Sequence, residues 1–126
     1  MTSCMIVDDS KTVRKIISSM LTQIGFTCSE AENGKIACDL CAVSMPDVIM
    51  LDWNMPVMNG LECLVKLRAM AKGDHPKVLF CTTENEMSFI QKAMEAGADE
   101  YIMKPFDRSI IQTKFIQLGL LEEQDT

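Results

Sequence analysis

The sequence predicts an α/β domain of five β-α repeats: a doubly wound parallel sheet with helices on both faces. Two observations predict it. Short apolar runs alternate along the 126 residues with segments whose apolar residues recur at helical spacing. Three of those runs, 4–7, 48–51 and 78–81, are almost wholly apolar, as strands covered on both faces must be.

Cys4-Met5-Ile6-Val7 reads as the first strand, cut off by Asp8-Asp9. Ser10 caps a first helix carrying Val13, Ile16, Ile17, Met20 and Ile24, with Gly25 as its stop. Residues 26–31 form a second strand, less apolar and so nearer an edge. Asn33-Gly34 turns the chain into a second helix, marked by Ile36, Leu40 and Val43 and ended before Pro46. The third strand, 48–51, is the most apolar and runs directly into Asp52. A loop at 53–58 contains Pro56, and Asn59-Gly60 opens a third helix through Leu61, Leu64, Val65 and Leu67. A loop at 73–76 leads to the fourth strand, 78–81, which ends at Thr82-Thr83. Ile90, Ala93 and Met94 lie on a fourth helix closed by Gly97. Tyr101-Ile102-Met103 is the fifth strand, stopped by Lys104-Pro105. Asp107 caps a fifth helix through Ile111, Phe115 and Leu118, and residues 122–126 are expected to fray.

Composition narrows the function. Apolar residues make up 48% and charged residues 24%, the balance of a globular domain. A net charge of −6 argues against non-specific nucleic-acid binding and against docking on an anionic membrane. No run approaches the ~18 apolar residues of a membrane span, and the start has no signal-peptide pattern. Six cysteines invite a disulfide reading, but Cys4, Cys28, Cys63 and Cys81 sit in apolar runs where a thiol packs as a small hydrophobe. Free thiols and a reducing cytoplasm are the expectation. Cys38-x-x-Cys41 lies on a helix without a second pair and is read as packing. The eleven methionines are read as core filler.

Function is legible in what ends the strands. The first ends in Asp8-Asp9, the third in Asp52, the fourth in Thr82 and the fifth in Lys104. In an open parallel sheet all strands point one way, so these ends share one edge, where ligands bind. Three carboxylates together must take up protons or hold a cation. An all-oxygen set suits Mg²⁺, or Mn²⁺, better than Zn²⁺, and the sole His75 lies in a loop away from the strand ends. A carboxylate, a hard metal, an ammonium and a hydroxyl make a cradle for a phosphoryl group, with the carboxylate as nucleophile. No Gly-rich nucleotide loop follows the first strand, so the donor is not a bound nucleotide.

Asp8-Asp9-Ser10, Asp52-Trp53-Asn54-Met55-Pro56, Gly60, Thr82 and Lys104-Pro105-Phe106 together resemble the signature of response-regulator receiver domains. The Asp52–Pro56 stretch with Tyr101 is similar, more narrowly, to the CheY-like, stand-alone chemotaxis type. The resemblance covers 3–118 and implies a flavodoxin-like fold with strand order 2-1-3-4-5. It implies one receiver domain over 1–126, with no effector domain, acting as a regulator and not as an enzyme. It also implies that Asp52 accepts a phosphoryl group from a histidine kinase or histidine phosphotransferase. Asp9 would bind Mg²⁺ directly and Asp8 through water, with Asp52 and the Asn54 carbonyl completing the set. Lys104, Thr82 and Thr83 would contact the phosphoryl group, Thr82 and Tyr101 would switch, and Asn54 and Glu84 would tune turnover. Thr83 departs from the small residue common there, which predicts slower phosphorylation by small donors than in Thr83→Ala.

An output face on the fourth helix, fifth strand and fifth helix would carry Met87, Phe89, Tyr101, Met103 and Phe106 to a downstream protein. Glu86 and Met87 stand where flagellar-type relatives often carry lysines, which weighs against a motor target. Trp53 is expected to report metal and phosphate by fluorescence. A cytoplasmic monomer is the expectation. A relay carrier, a constitutive metal-binding module and a flavin domain on the same fold are the alternatives; the last lacks the phosphate loop it would need.

Overall fold

The computed structural model describes residues 2–122; of the fray expected at 122–126, residues 123–126 lie outside them. Five parallel strands, β1 (Ser3–Val7), β2 (Thr27–Ala31), β3 (Val48–Asp52), β4 (Lys77–Thr82) and β5 (Glu100–Met103), form one sheet in the order 2-1-3-4-5. The helices are α1 (Lys11–Gln23), α2 (Gly34–Val43), α3 (Gly60–Arg68), α4 (Ile90–Glu95) and α5 (Arg108–Gln117).

Alternation along each strand sorts the core into two layers. Met5, Val7, Ile49, Leu51, Val78 and Phe80 face α2, α3 and α4; Cys4, Ile6, Val48, Met50, Leu79 and Cys81 face α1 and α5. β3 is buried at every residue, Asp52 included. β2 is an edge strand, half exposed as its composition predicts.

The helices formed where the spacing placed them, but some turned different faces inward. α2 buries Ala37, Cys38 and Cys41 and leaves Leu40 and Val43 exposed. α2 is apolar nearly all round, so periodicity does not select its face; close approach to α3 does, and that favours small side chains. Gly34 belongs to the same approach, since a Cβ there would lie 2.9 Å from the Met58 carbonyl oxygen. Cys38 Sγ packs 3.8 Å from Cys63 Sγ across this interface, and all six thiols are free. α1 buries Ile17 and Leu21 while Ile16 is exposed; on α3, Cys63, Leu64 and Leu67 are buried and Val65 is exposed. The segment expected as one fourth helix is a 3₁₀ turn, Glu84–Phe89, followed by the short α4.

At the amino-terminal edge of the sheet, Arg68 ties the α3–β4 and α4–β5 connections together. Its guanidinium donates to the carbonyl oxygens of Gly97 (2.7 and 3.0 Å), Gly73 (2.8 Å) and Pro76 (2.8 Å), and to Asp99 (3.0 Å). His75 pairs with Asp47 at 2.8 Å, away from the strand ends that carry Asp52.

In the β3–α3 loop, Val57 has φ 71° and is 77% exposed. Left-handed backbone is unfavourable for any L-residue and most for a β-branched one, whereas Asn tolerates it. Val57→Asn is therefore expected to raise the unfolding free energy by about 1 kcal/mol in urea denaturation. An unchanged midpoint would rule out strain at this turn.

Candidate functional site

Among the described residues, the buried polar side chains are Asp8, Asp52 and Thr82, at 3, 7 and 1% exposure. All three lie at the carboxyl ends of central strands. Asp52 is the last residue of β3 and pairs with Cys81, which puts Thr82 one step beyond it on β4. Thr82 is in turn opposite Met103, so Lys104 follows on β5's side of the same edge.

Lys104 Nζ sits between two carboxylates, 2.8 Å from Asp8 Oδ2 and 3.0 Å from Asp52 Oδ1. Asp9, exposed, completes a cluster in which one carboxylate oxygen from each of Asp8, Asp9 and Asp52 lies within 4.8 Å of the others. Asp8 and Asp52 share one ammonium with Asp9 beside them, and the consequences run in opposite directions. Burial raises the Asp52 carboxyl against the pull of Lys104, Asp8 and Glu86 add to the rise, and the net is about 6. For Lys104 burial acts downward, but the hydrogen bonds to Asp8 and Asp52 outweigh it and hold its pKa above the usual lysine range. Three carboxylates stand against one ammonium, so the crevice is short of positive charge. Hard oxygen donors at this spacing fit Mg²⁺ or Mn²⁺.

Local structure holds the set in place. Asp8 Oδ1 accepts from Ser10 N–H at 2.8 Å, and Arg14 Nη1 donates to the Asp8 carbonyl at 2.7 Å while its Nε pairs with Glu30. After Asp52 the chain turns straight back: Gly60 N–H donates to the Trp53 carbonyl at 2.8 Å. A Cβ on Gly60 would lie 2.4 Å from the Asp52 carbonyl oxygen, so only glycine fits there. Asn59 and Glu62 then close a capping box at the start of α3.

The remaining expected residues are distributed less simply. Asn54 is exposed in the loop, two residues beyond Asp52. The Glu84 side chain lies outside the described residues. Thr82 Oγ1 donates to the Thr83 carbonyl at 3.2 Å. Thr83 donates to Glu86 Oε1 from both its N–H and its Oγ1, each at 3.0 Å. Glu86 was not singled out as a site residue. Its signal was present, since Thr83-x-x-Glu86 is a capping-box pattern.

The five output residues do not form one surface. Met87 and Met103 are exposed at 39 and 37%. Tyr101 is half-buried, with Lys114 Nζ 4.7 Å over its ring. Phe89 stacks on Trp53, ring centroids 4.2 Å apart and 17° from parallel, so it is a partner of the loop that follows Asp52 and not a free contact. Phe106 packs on the opposite face, against the α1–α5 layer. There it lines an apolar groove of about 390 Å³ with Val13, Ile16, Ile17, Met20 and Pro105, and the groove opens beside Lys104 and Thr83.

Comparison with known proteins agrees with this arrangement. The family model described as the response regulator receiver domain matches residues 4–116. A chemotaxis protein CheY homolog of Campylobacter jejuni is 40% identical over 112 residues, covering 87% of this chain and 86% of its own length. Chemotaxis protein CheY of Pseudomonas aeruginosa is 37% identical over 111 residues, covering 87% of this chain and 90% of its own. The structure of Vibrio cholerae chemotaxis protein CheY4 superposes with a TM-score of 0.86 at 29% identity, over 96% of this chain and 99% of the other.

Proposed function

Because this chain belongs to the response-regulator receiver family, we propose that it is a response regulator whose Asp52 takes a phosphoryl group from a phosphohistidine protein. The observation that carries this reading is Lys104, whose ammonium bridges Asp8 and Asp52 beside Asp9. In the transfer, an Asp52 carboxylate oxygen attacks phosphorus, the phosphorus–nitrogen bond to the donor histidine breaks, and an acyl phosphate forms. Lys104 holds a phosphoryl oxygen, and Thr82 leaves the Thr83 carbonyl to donate to another. Asp8, Asp9, Asp52 and the Asn54 carbonyl would hold Mg²⁺ or Mn²⁺, which supplies the positive charge that one lysine cannot. Asn54 and Glu84 set the lifetime of the acyl phosphate.

Relatives named for chemotaxis support a chemotaxis-type signalling role. The groove of Val13, Ile16, Met20 and Phe106 suits the donor, a histidine kinase or phosphotransferase, because it opens beside Lys104. Exposed Met87 and Met103 suit the downstream protein on the other side. Moving a switch from mostly off to mostly on takes about 5.5 kcal/mol, and one charge-assisted hydrogen bond gives about 1.5–3. The bound partner therefore completes what phosphate begins. The protein acts as a cytoplasmic regulator, with no chemistry beyond gaining and losing its own phosphate. Among the described residues no helix is long and apolar enough to cross a membrane.

The test is incubation with acetyl phosphate and Mg²⁺, read as a mass gain of one phosphoryl group that chelation abolishes. No gain would sink the reading. A pH dependence follows from the same geometry. With Asp52 near 6, metal binding must displace a proton below that pH. Apparent Mg²⁺ affinity is expected to fall about tenfold between pH 7 and pH 5, followed by Trp53 fluorescence. A flat profile over that range would contradict the raised carboxyl.

A further inference from the structure

A break in the sheet beside Asp52 assigns a role to Glu86. β3 and β4 run in register with Asp52 opposite Cys81, and Trp53 N–H donates to the Cys81 carbonyl at 3.2 Å. The next rung of a parallel ladder would carry Thr83 N–H to the Trp53 carbonyl. Both groups are engaged elsewhere. The Trp53 carbonyl accepts from Gly60, and Thr83 N–H donates to Glu86 Oε1 at 3.0 Å. The same carboxylate oxygen accepts from Thr83 Oγ1 at 3.0 Å. Glu86 N–H returns to the Thr83 carbonyl at 3.0 Å, the oxygen on which the Thr82 hydroxyl also rests at 3.2 Å. The strand end thus frees a donor at the crevice, and the chain's own anion holds it.

We propose that Glu86 is a built-in competitor of the phosphoryl group: its carboxylate occupies the Thr83 donors and keeps Thr82 parked until phosphate displaces it. This rests on the reading of Asp52 as acceptor and Thr83 as a phosphoryl contact. Two anions cannot share one donor pair without repulsion, so what favours Glu86 on Thr83 opposes phosphate on Asp52. Glu86 is also close enough for its charge to act on Asp52 itself, adding to the upward push on that carboxyl. Glu86 touches no reacting atom in this arrangement. It is a positioning residue, acting through the Thr82–Thr83 peptide.

Glu86→Gln separates charge from structure, because the amide oxygen still accepts from both Thr83 donors. Charge-assisted hydrogen bonds are roughly twice as strong as neutral ones, so the variant is expected to take phosphate from acetyl phosphate about fivefold faster. Beryllofluoride with Mg²⁺ is expected to bind it about fivefold more tightly, with an unchanged thermal midpoint. Glu86→Ala, which removes the acceptor as well, is expected to gain at least as much while melting earlier. Equal or slower phosphorylation of Glu86→Gln would overturn the proposal, as would a lowered midpoint with an unmoved beryllofluoride constant, the mark of a purely structural role. If the wild type takes up no phosphate, the Asp52 reading fails and this one with it. If it does and Glu86→Gln gains nothing, only the role of Glu86 fails.

Discussion

Asp52→Asn is expected to end phosphate uptake and, in metal-free buffer above pH 6, to make the protein more stable. Loss of uptake follows from removing the nucleophile, since an amide oxygen forms no stable acyl phosphate. Intact mass after treatment with acetyl phosphate reads it, and uptake at the wild-type rate would move the acceptor to Asp8 or Asp9. The gain in stability follows from burial. The Asp52 carboxyl is pushed from 3.8 to about 6 in the folded chain, with the opposing pull of Lys104 already included. A carboxyl raised on folding favours the fold below its unfolded value, and that contribution is lost as pH climbs through the folded value. At pH 8 the charge costs stability that an amide does not. Two pH units would be worth nearly 3 kcal/mol, and solvent at the mouth of the crevice reduces this to about 1–2 kcal/mol. Urea unfolding at pH 8 and pH 4 should show the gain only at the higher pH. A gain of equal size at both would assign it to something other than charge.

Gly60→Ala is expected to destabilise the fold by about 2 kcal/mol and to weaken Mg²⁺ binding with it. The added methyl would lie 2.4 Å from the Asp52 carbonyl oxygen and 3.0 Å from Trp53 Cα, and neither backbone atom can yield as a flexible side chain would. The start of α3 must move off the end of β3, carrying the loop with Asn54 away from Asp8 and Asp9. Equilibrium denaturation and Mg²⁺ titration test the two halves. Wild-type values in both would show that α3 shifts without disturbing the acceptor loop.

The strands and the site were legible in the sequence for one physical reason. A strand covered on both faces must be apolar along its length, so the first polar residue after 4–7, 48–51 and 78–81 marks the crevice. Asp8, Asp52 and Thr82 were found that way, and they are the buried polar side chains among the described residues. Helix faces were less legible. On α2 nearly every side chain is apolar, and the choice of Ala37, Cys38 and Cys41 over Leu40 and Val43 depends on how closely α3 approaches. Phe89 looked free because its partner, Trp53, comes from a loop distant in sequence. Phe106 looked like part of the β5 surface, but its packing against the other layer emerges only once α1 is in place. Glu86 could have been found from Thr83-x-x-Glu86, though the pattern alone does not say that the capped peptide borders Asp52.

Arg68 holds Gly97 and Asp99, the turn that follows α4, to the carboxyl end of α3 and to the α3–β4 turn. The opposite end of that segment rests on Glu86 and on the Phe89–Trp53 stack. One end is bolted through three hydrogen bonds from a single side chain, which two more anchor to the α3–β4 turn. The other is latched by contacts that all trace back to residues next to the acceptor. A body fastened in that way pivots and does not slide. If Asp52 is the acceptor, phosphorylation is expected to reach the surface around Met87 as a tilt about a fixed point near Gly97, with amide exchange rising most at residues 84–89 and least at 95–97; uniform exchange along the segment would contradict this.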